Sequence, residues 1–158
     1  MLLSPGRHSV AFRDNRRVFW TVLFILWLCV VWGHSMLPAD LSSEESSWVV
    51  ALVRPFFSLF GVTDGHVMTH VIRKGAHFTE YVILMLIGVK FVREWAQSKL
   101  GTWLSTVAIW VCVPMVDETI QRFTPGRAPR ITDVCIDMAG GLLGMLIPHA
   151  ILKRAKPR

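Results

Sequence analysis

The sequence predicts an all-α, polytopic membrane protein with four transmembrane helices and a partly helical outer loop. Three observations predict this class. Hydrophobic residues make up 53% of the 158 positions and charged residues only 18%, which is too apolar for an ordinary soluble domain. Four apolar segments approach the roughly 20 residues that a helix needs to cross a bilayer. Basic residues concentrate on alternate connections between these segments, as expected for a multi-pass protein.

The predicted spans occupy residues 18–37, 76–92, 100–116 and 134–152. The first contains no Lys, Arg, Asp or Glu and is the clearest membrane helix. A cleaved signal peptide is the alternative for this segment, but its length and the three spans that follow favour a retained anchor. The second and fourth spans contain Glu80 and Asp137, and the third carries Pro114 near its end, where a membrane helix tolerates a kink.

The distribution of basic residues predicts the orientation. Ten of the 17 lysines and arginines lie before the first span, between the second and third, or after the fourth, and an eleventh, Lys90, lies in the last turn of the second span on the same side. The positive-inside rule therefore places both termini in the cytoplasm, with residues 1–17 and 153–158 as cytoplasmic tails. The basic residues responsible for the high isoelectric point then fix the topology and contact lipid headgroups, and we expect no nucleic-acid partner.

The outer connection from residue 38 to 75 is predicted to be partly helical. Residues 42–45 (Ser-Ser-Glu-Glu) resemble a capping box at the start of a helix. The apolar run over 48–60 is too short to span and contains Pro55, which predicts a broken segment lying along the membrane interface. Asp64 is a candidate cap for a further helix that leads into the second span.

The first set of polar residues lies at the start of the second span. His77, Glu80 and Tyr81 follow the i, i+3, i+4 spacing of one helical face, and Lys74 lies one turn earlier. Ionisable residues at membrane depth are functional candidates, because burying them without a partner costs free energy and they are rarely found there without a functional role. The alternative is that these groups only satisfy one another at a contact between helices.

A second set of polar residues lies at the end of the third span. Asp117 and Gln121 share a helical face, and Glu118 lies beside them. The Pro-Gly pair that follows predicts a tight turn that brings Arg127 back towards the carboxylates. A guanidinium there could clamp a substrate phosphate or carboxylate, or latch the hairpin by pairing with one of these acids. We expect it within hydrogen-bonding reach of Asp117, Glu118 or Asp133, so that its loss would strand buried negative charge.

The third set opens the fourth span, where Thr132 is a candidate N-cap. Asp133 and Asp137 continue along one face, and Asp137 lies a turn inside the membrane and needs a partner. Gly140 and Gly144 on that face form a small-xxx-small pair, which lets another helix approach closely. In the predicted orientation all three polar sets lie at the outer face of the membrane.

Metal and cofactor signals are weak in this sequence. His66 and His70 have i, i+4 spacing, but no HExxH motif or paired cysteines strengthen them, so that no metal site is predicted. Phosphate-loop, dinucleotide and nucleophile-elbow motifs are absent from the sequence, and we predict no cofactor. His34 belongs to no constellation that spacing reveals.

These polar motifs together resemble the VanZ family of bacterial membrane proteins. The resemblance covers most of the chain and lies in residues 73–81 (Arg-Lys-Gly-Ala-His-Phe-Thr-Glu-Tyr) with Leu84, in residues 117–121 (Asp-Glu-Thr-Ile-Gln) followed by 125–127 (Pro-Gly-Arg), and in Asp133 to Asp137 followed by 140–144 (Gly-Gly-Leu-Leu-Gly). The family usually has Asn where this chain has Asp137, which adds a charge here. The family namesake is associated with resistance to the glycopeptide teicoplanin, which implies a cell-envelope setting.

Two functional hypotheses follow. In the first, the polar set binds or acts on an envelope lipid, a lipid-linked precursor or a glycopeptide-related ligand. The acid–base candidates are then His77, Glu80, Asp117 and Glu118, and the substrate-binding candidates are Lys74, Tyr81, Gln121, Arg127, Asp133 and Asp137. In the second, the protein is not an enzyme, the polar residues form a structural network, and the protein acts through partners.

Overall fold

The fold consists of helices throughout the described part of the chain. The structure, a computed structural model, describes residues 6–61, 63–128 and 130–154. The helices are α1 (Gly6–Met36), α2 (Ala39–Leu59), α3 (Gly65–Trp95), α4 (Lys99–Arg122) and α5 (Ile131–Arg154), and these residues contain no strand. The all-α prediction is confirmed.

Four helices have the length and composition of membrane spans. They occupy Phe12–Met36, Gly65–Trp95, Lys99–Arg122 and Ile131–Pro148 within the residues described. Large apolar side chains on their outer surfaces, such as Phe19, Leu104 and Leu146, are exposed. Such extensive apolar exposure suits a bilayer, where lipid covers the outer surface of the bundle. The prediction of four spans joined by a partly helical connection is confirmed.

Two helices extend well beyond the apolar segments from which they were predicted. α1 begins at Gly6, so that residues 6–17, predicted as a tail, are helical where described. α3 begins at Gly65, eleven residues before the predicted span, and its 31 residues give a length of about 46 Å. The carboxylate of Asp64 caps it by accepting a hydrogen bond from the His66 amide at 2.8 Å, as predicted.

Two predicted helix starts and one predicted break are wrong. α2 begins at Ala39, after Pro38 in the N-cap position with the extended ψ of 152°, so that residues 42–45 lie inside the helix rather than at its cap. The same helix continues through Pro55 to its end. α5 begins at Ile131, which places Thr132 inside the helix. Ser and Thr favour N-caps because their side chains bind nearby backbone amides, but the preference is weak enough that these residues also occur inside helices.

α3 is the central element, since it contacts each of the other four helices. Its closest neighbour is α5, and the glycines of α5 explain why. A Cβ atom at Gly140 would overlap the carbonyl oxygen of Phe78, and one at Gly144 would overlap that of Val82. The two backbones therefore touch directly, as the small-xxx-small pattern predicts.

Contacts at the two ends of the bundle define the direction of each helix. At one end, the Arg17 Nε donates to the Glu94 carbonyl at 2.9 Å and its guanidinium lies 5.2 Å from the centre of the Trp95 ring. At the other end, the Arg127 Nε donates to the Leu37 carbonyl at 2.9 Å. We call the first the basic end and the second the polar end. α1 and α4 run towards the polar end, whereas α3 and α5 start there.

Candidate functional site

The polar end brings together side chains from α3, α4 and α5. Lys74 of α3 donates to the Asp133 carboxylate of α5 at 2.7 Å. One turn further into the bundle, the Nδ1 atom of His77 lies 4.0 Å from Oδ1 of Asp137. The spacing along each helix placed these residues on single faces, and packing of α3 against α5 brings the two faces into contact.

Asp117 and Asp137 are the most buried charged residues of the described part of the chain, with exposures of 0% and 1%. Gln121 donates to Oδ2 of Asp117 at 3.1 Å, which confirms their predicted shared face. His77, Asp117 and Asp137 each offer one potential ligand atom, and these atoms all lie within 4.8 Å of one another. We call this group the His-Asp-Asp cluster.

The cluster contains polar atoms that the described residues do not satisfy. His77 Nδ1, Asp117 Oδ1 and Asp137 Oδ1 are buried and have no hydrogen-bond partner among those residues. Buried polar atoms of folded proteins nearly always have a partner, because an unsatisfied one costs about 1–3 kcal/mol and a charged one costs more. These atoms belong to the three residues of the cluster, whose potential ligand atoms lie within 4.8 Å of one another, so that one cation or water molecule between them could satisfy several of them.

Glu80 faces α1 instead of the cluster. Its Oε1 atom lies 2.5 Å from Nδ1 of His34, and its backbone carbonyl accepts a hydrogen bond from Trp27 Nε1 at 3.0 Å. The sequence had assigned His34 to no constellation, and that interpretation is wrong. The two residues are 46 positions apart, so that only the packing of α1 on α3 reveals the pair.

Arg127 binds backbone carbonyls where we expected a carboxylate. Its Nε donates to Leu37 and its NH2 group donates to His34 at 2.7 Å, and both acceptors lie at the carboxyl-terminal end of α1. The last carbonyls of a helix lack partners within it and carry partial negative charge, which a guanidinium complements. Thr124 adds a hydrogen bond to the Ser35 carbonyl at 2.9 Å. The turn after α4 therefore fastens α1 at the polar end.

The remaining predicted site residues lie around this arrangement. Tyr81 is 1% exposed and its hydroxyl lies next to Asp117, on the core side of the cluster. Glu118 accepts a hydrogen bond from the backbone amide of Arg130, which holds the turn before α5 against the end of α4. Neither side chain is among those that line the cavities described next.

A cavity of about 180 Å³ lies between α3, α5 and the turn after α4. Four cationic side chains surround it, those of Arg73, Lys74, Arg127 and Arg130, whereas Asp133 and Asp137 supply the negative charge. His70, His77 and Gln121 complete its polar lining. A smaller cavity of about 100 Å³ lies alongside and shares Arg73, His77 and Arg127 with the first.

Sequence reasoning had missed two of these cations as site residues. Arg73 lies inside the motif over 73–81 but was not singled out, and Arg130 follows a turn whose path the sequence leaves open. A polar end rich in paired carboxylates could have suggested additional cations, since each buried acid needs a counter-charge. Spacing along the chain gives no such signal for residues in turns.

The fold and the polar cavity define a multi-pass α-helical membrane protein with an ionisable site between its helices at one end. A family model described as VanZ/LLP1 matches residues 20–152, which is most of the chain. The chain belongs to this family, and the resemblance drawn from its motifs is confirmed. No curated protein and no solved structure gives a significant match.

Proposed function

We propose that this chain binds the phosphate-bearing headgroup of an anionic membrane lipid or lipid-linked envelope precursor. The ligand would occupy the cavity at the polar end, in the outer leaflet of a bacterial plasma membrane. The observation that carries the proposal is the ring of cationic side chains around a cavity at the end of a membrane bundle. Ligand cavities with a few convergent polar groups are the usual binding sites of helical bundles.

The cations of the cavity suit a phosphate. Arginine presents a planar fork of donors that pairs with two phosphate oxygens, and the described cavity places Arg73 and Arg127 in both of its compartments. Lys74 is held in place by Asp133 on the same wall, so that its ammonium group can offer its remaining N–H donors to a phosphate without moving. The cavity volume suits a headgroup better than a single water molecule.

The depth of the cavity also suits a lipid headgroup. About 20 helical residues cross the roughly 30 Å hydrocarbon core, and α3 is 31 residues long. If the segment after Gly75 crosses the core, Arg73 and Lys74 lie at the level of the lipid phosphates. A lipid could then keep its chains among neighbouring lipids while its headgroup enters between α3 and α5.

The orientation is part of the proposal. Arg13, Arg16 and Arg17 of α1 lie with Glu94 at the basic end, and the positive-inside rule assigns that end to the cytoplasm. Single cysteines at Thr63 and Gln97, in a variant without the native cysteines, test this with a membrane-impermeant maleimide on intact cells. We expect labelling at 63 and protection at 97. The reverse pattern would contradict an outer-leaflet site.

Lipid binding is tested with purified protein in nanodiscs or by native mass spectrometry. We expect a polyprenyl phosphate or anionic phospholipid to bind more tightly than phosphatidylcholine. Arg73→Gln should weaken binding at least about tenfold, because a hydrogen bond to a charged group contributes about 1.5–3 kcal/mol. Arg93→Gln, near the other end of the same helix, is the matched control and should bind normally. Equal binding of charged and zwitterionic lipids, or equal losses in both variants, would refute the proposal.

A structural network is the second candidate function, and the Lys74–Asp133 and His34–Glu80 contacts favour it. These pairs join α3 to α5 and to α1, so that they stabilise the bundle whether or not a ligand binds. Arg73→Gln separates the two functions, because Arg73 lines both cavities and takes part in neither of these ion pairs. If the site is only structural, protein abundance and any cellular phenotype should fall together. If it binds a ligand, folded protein should remain while the phenotype is lost.

A further inference from the structure

We propose that His77, Asp117 and Asp137 bind a divalent transition-metal cation, with Zn²⁺ or Mn²⁺ as the class of ion that fits. No spacing in the sequence indicates this site, since its three ligands come from three different helices. The proposal goes beyond lipid binding and does not depend on it. It rests on the geometry, burial and charge of the His-Asp-Asp cluster.

The geometry of the cluster is close to that of a metal site. The three ligand atoms lie within 4.8 Å of one another. At that upper limit, a point equidistant from all three is about 2.8 Å from each, and a bond of about 2.1 Å requires an inward movement of about 0.7 Å. Small side-chain rotations supply such a movement without displacing the helices that carry the ligands.

The charge of the cluster calls for a cation. Asp117 forms no ion pair with the described residues, and Asp137 has only His77, at 4.0 Å. The other site carboxylates already have partners, since Asp133 pairs with Lys74 and Glu80 with His34. Two ionised carboxylates buried together repel each other and lose hydration. A divalent cation would neutralise both and leave the imidazole neutral, as a metal ligand must be.

The unsatisfied atoms point to the same ligand. Asp117 and Asp137 are almost completely buried, and each has an Oδ1 atom without a hydrogen-bond partner among the described residues. The Nδ1 atom of His77 is also buried without a hydrogen-bond partner among those residues. All three atoms carry lone pairs when the carboxylates are ionised and that nitrogen is unprotonated. A metal ion satisfies such a set with one species, whereas a proton can be shared by only two of its members.

The donor set selects the class of metal. Imidazole favours Zn²⁺ and other transition metals, and carboxylates suit Mn²⁺ and harder ions, so that one nitrogen with two carboxylates fits Zn²⁺ or Mn²⁺ best. Three protein ligands leave at least one coordination position open. His77 and Asp137 also line the larger cavity, so that the open position would face it. A water molecule or an anionic ligand could complete the coordination there.

The test measures metal binding directly, without added lipid. Untagged protein is purified in detergent, stripped with a chelator, dialysed against Zn²⁺ or Mn²⁺ and desalted, and the bound metal is counted by mass spectrometry. We expect about one ion per chain. Asp137→Asn and His77→Gln should each weaken binding at least about tenfold. His66→Gln is the matched control, since this exposed histidine of the same helix lies outside the cluster and lines neither cavity, and it should bind metal normally.

A spectroscopic measurement keeps the proposal testable if a variant does not fold. Pulsed electron paramagnetic resonance of the native protein with Mn²⁺ should show coupling to one imidazole nitrogen. A protein that binds no ion, an ion without nitrogen coupling, or equal binding by the Asp137→Asn variant would each overturn the site. If the protein binds no metal but still selects anionic lipids, only the metal site is refuted. If it binds metal but does not distinguish the lipids, only the lipid proposal is refuted.

Discussion

Substitution of Gly140 by alanine is the sharpest test of how the site is assembled. The added Cβ atom would overlap the carbonyl oxygen of Phe78 and lie 3.1 Å and 3.2 Å from the carbonyl carbon and Cα of the same residue. All three are backbone atoms of α3 and cannot rotate away. α5 would therefore have to move outward by about 1 Å, since non-bonded carbon and oxygen atoms need more than about 3 Å.

The expected cost follows from this clash. Overpacking a close contact costs about 1–3 kcal/mol when the backbone must shift. Gly75 provides a matched control, because it lies inside α3 and a Cβ there would meet nothing within 4 Å. Gly75→Ala should be neutral or stabilising by up to about 1 kcal/mol through helix propensity alone. The two alanine variants should therefore differ in stability by about 1–4 kcal/mol.

Thermal unfolding in detergent, followed by near-ultraviolet circular dichroism, measures the difference. For a chain of this length a loss of 1–3 kcal/mol lowers the melting temperature by about 3–10 °C. The substitution should also disturb the site, because Asp137 lies one turn before Gly140 on α5 and its 4.0 Å distance from His77 depends on the same packing. Equal melting temperatures for Gly140→Ala and Gly75→Ala would refute the close backbone contact between α3 and α5.

Three further predictions concern charges at the polar end. A double-mutant cycle with Lys74→Met and Asp133→Asn should give a coupling of about 1 kcal/mol, because both side chains are about 30% exposed, and additive losses would contradict the contact. Arg127→Lys should lower the free energy of unfolding by about 1–3 kcal/mol, since an ammonium cannot reproduce the guanidinium fork across two carbonyls. The control, Arg122→Lys at an exposed position, should change it by no more than about 0.5 kcal/mol. Equal melting temperatures of the two variants would refute this role of Arg127. Zn²⁺ at about 100 times its dissociation constant should stabilise the native protein by about 2.7 kcal/mol and the Asp137→Asn variant by about 1.4 kcal/mol or less, because the variant binds at least about tenfold more weakly. An equal shift in both would contradict the proposed ligand set.

Local pattern determined the fold class and much of the site. Apolar length alone identifies four spans, because the bilayer imposes a minimum on every crossing helix. Helical periodicity alone places Asp117 with Gln121, and it places Asp133, Asp137 and Gly140 on one face of α5. These are properties of a single helix, so that they can be derived without knowing what it packs against.

Contacts between helices were decided only by the tertiary structure. The His34–Glu80 pair and the His-Asp-Asp cluster join residues of different helices, and Arg127 joins the turn after α4 to the end of α1. Their formation depends on how each helix is rotated and how far it slides along its neighbour, and the apolar pattern of a membrane helix constrains both only weakly. Close contact between α3 and α5 removes that freedom, because glycines let the backbones touch and thereby set the depth at which the polar faces meet.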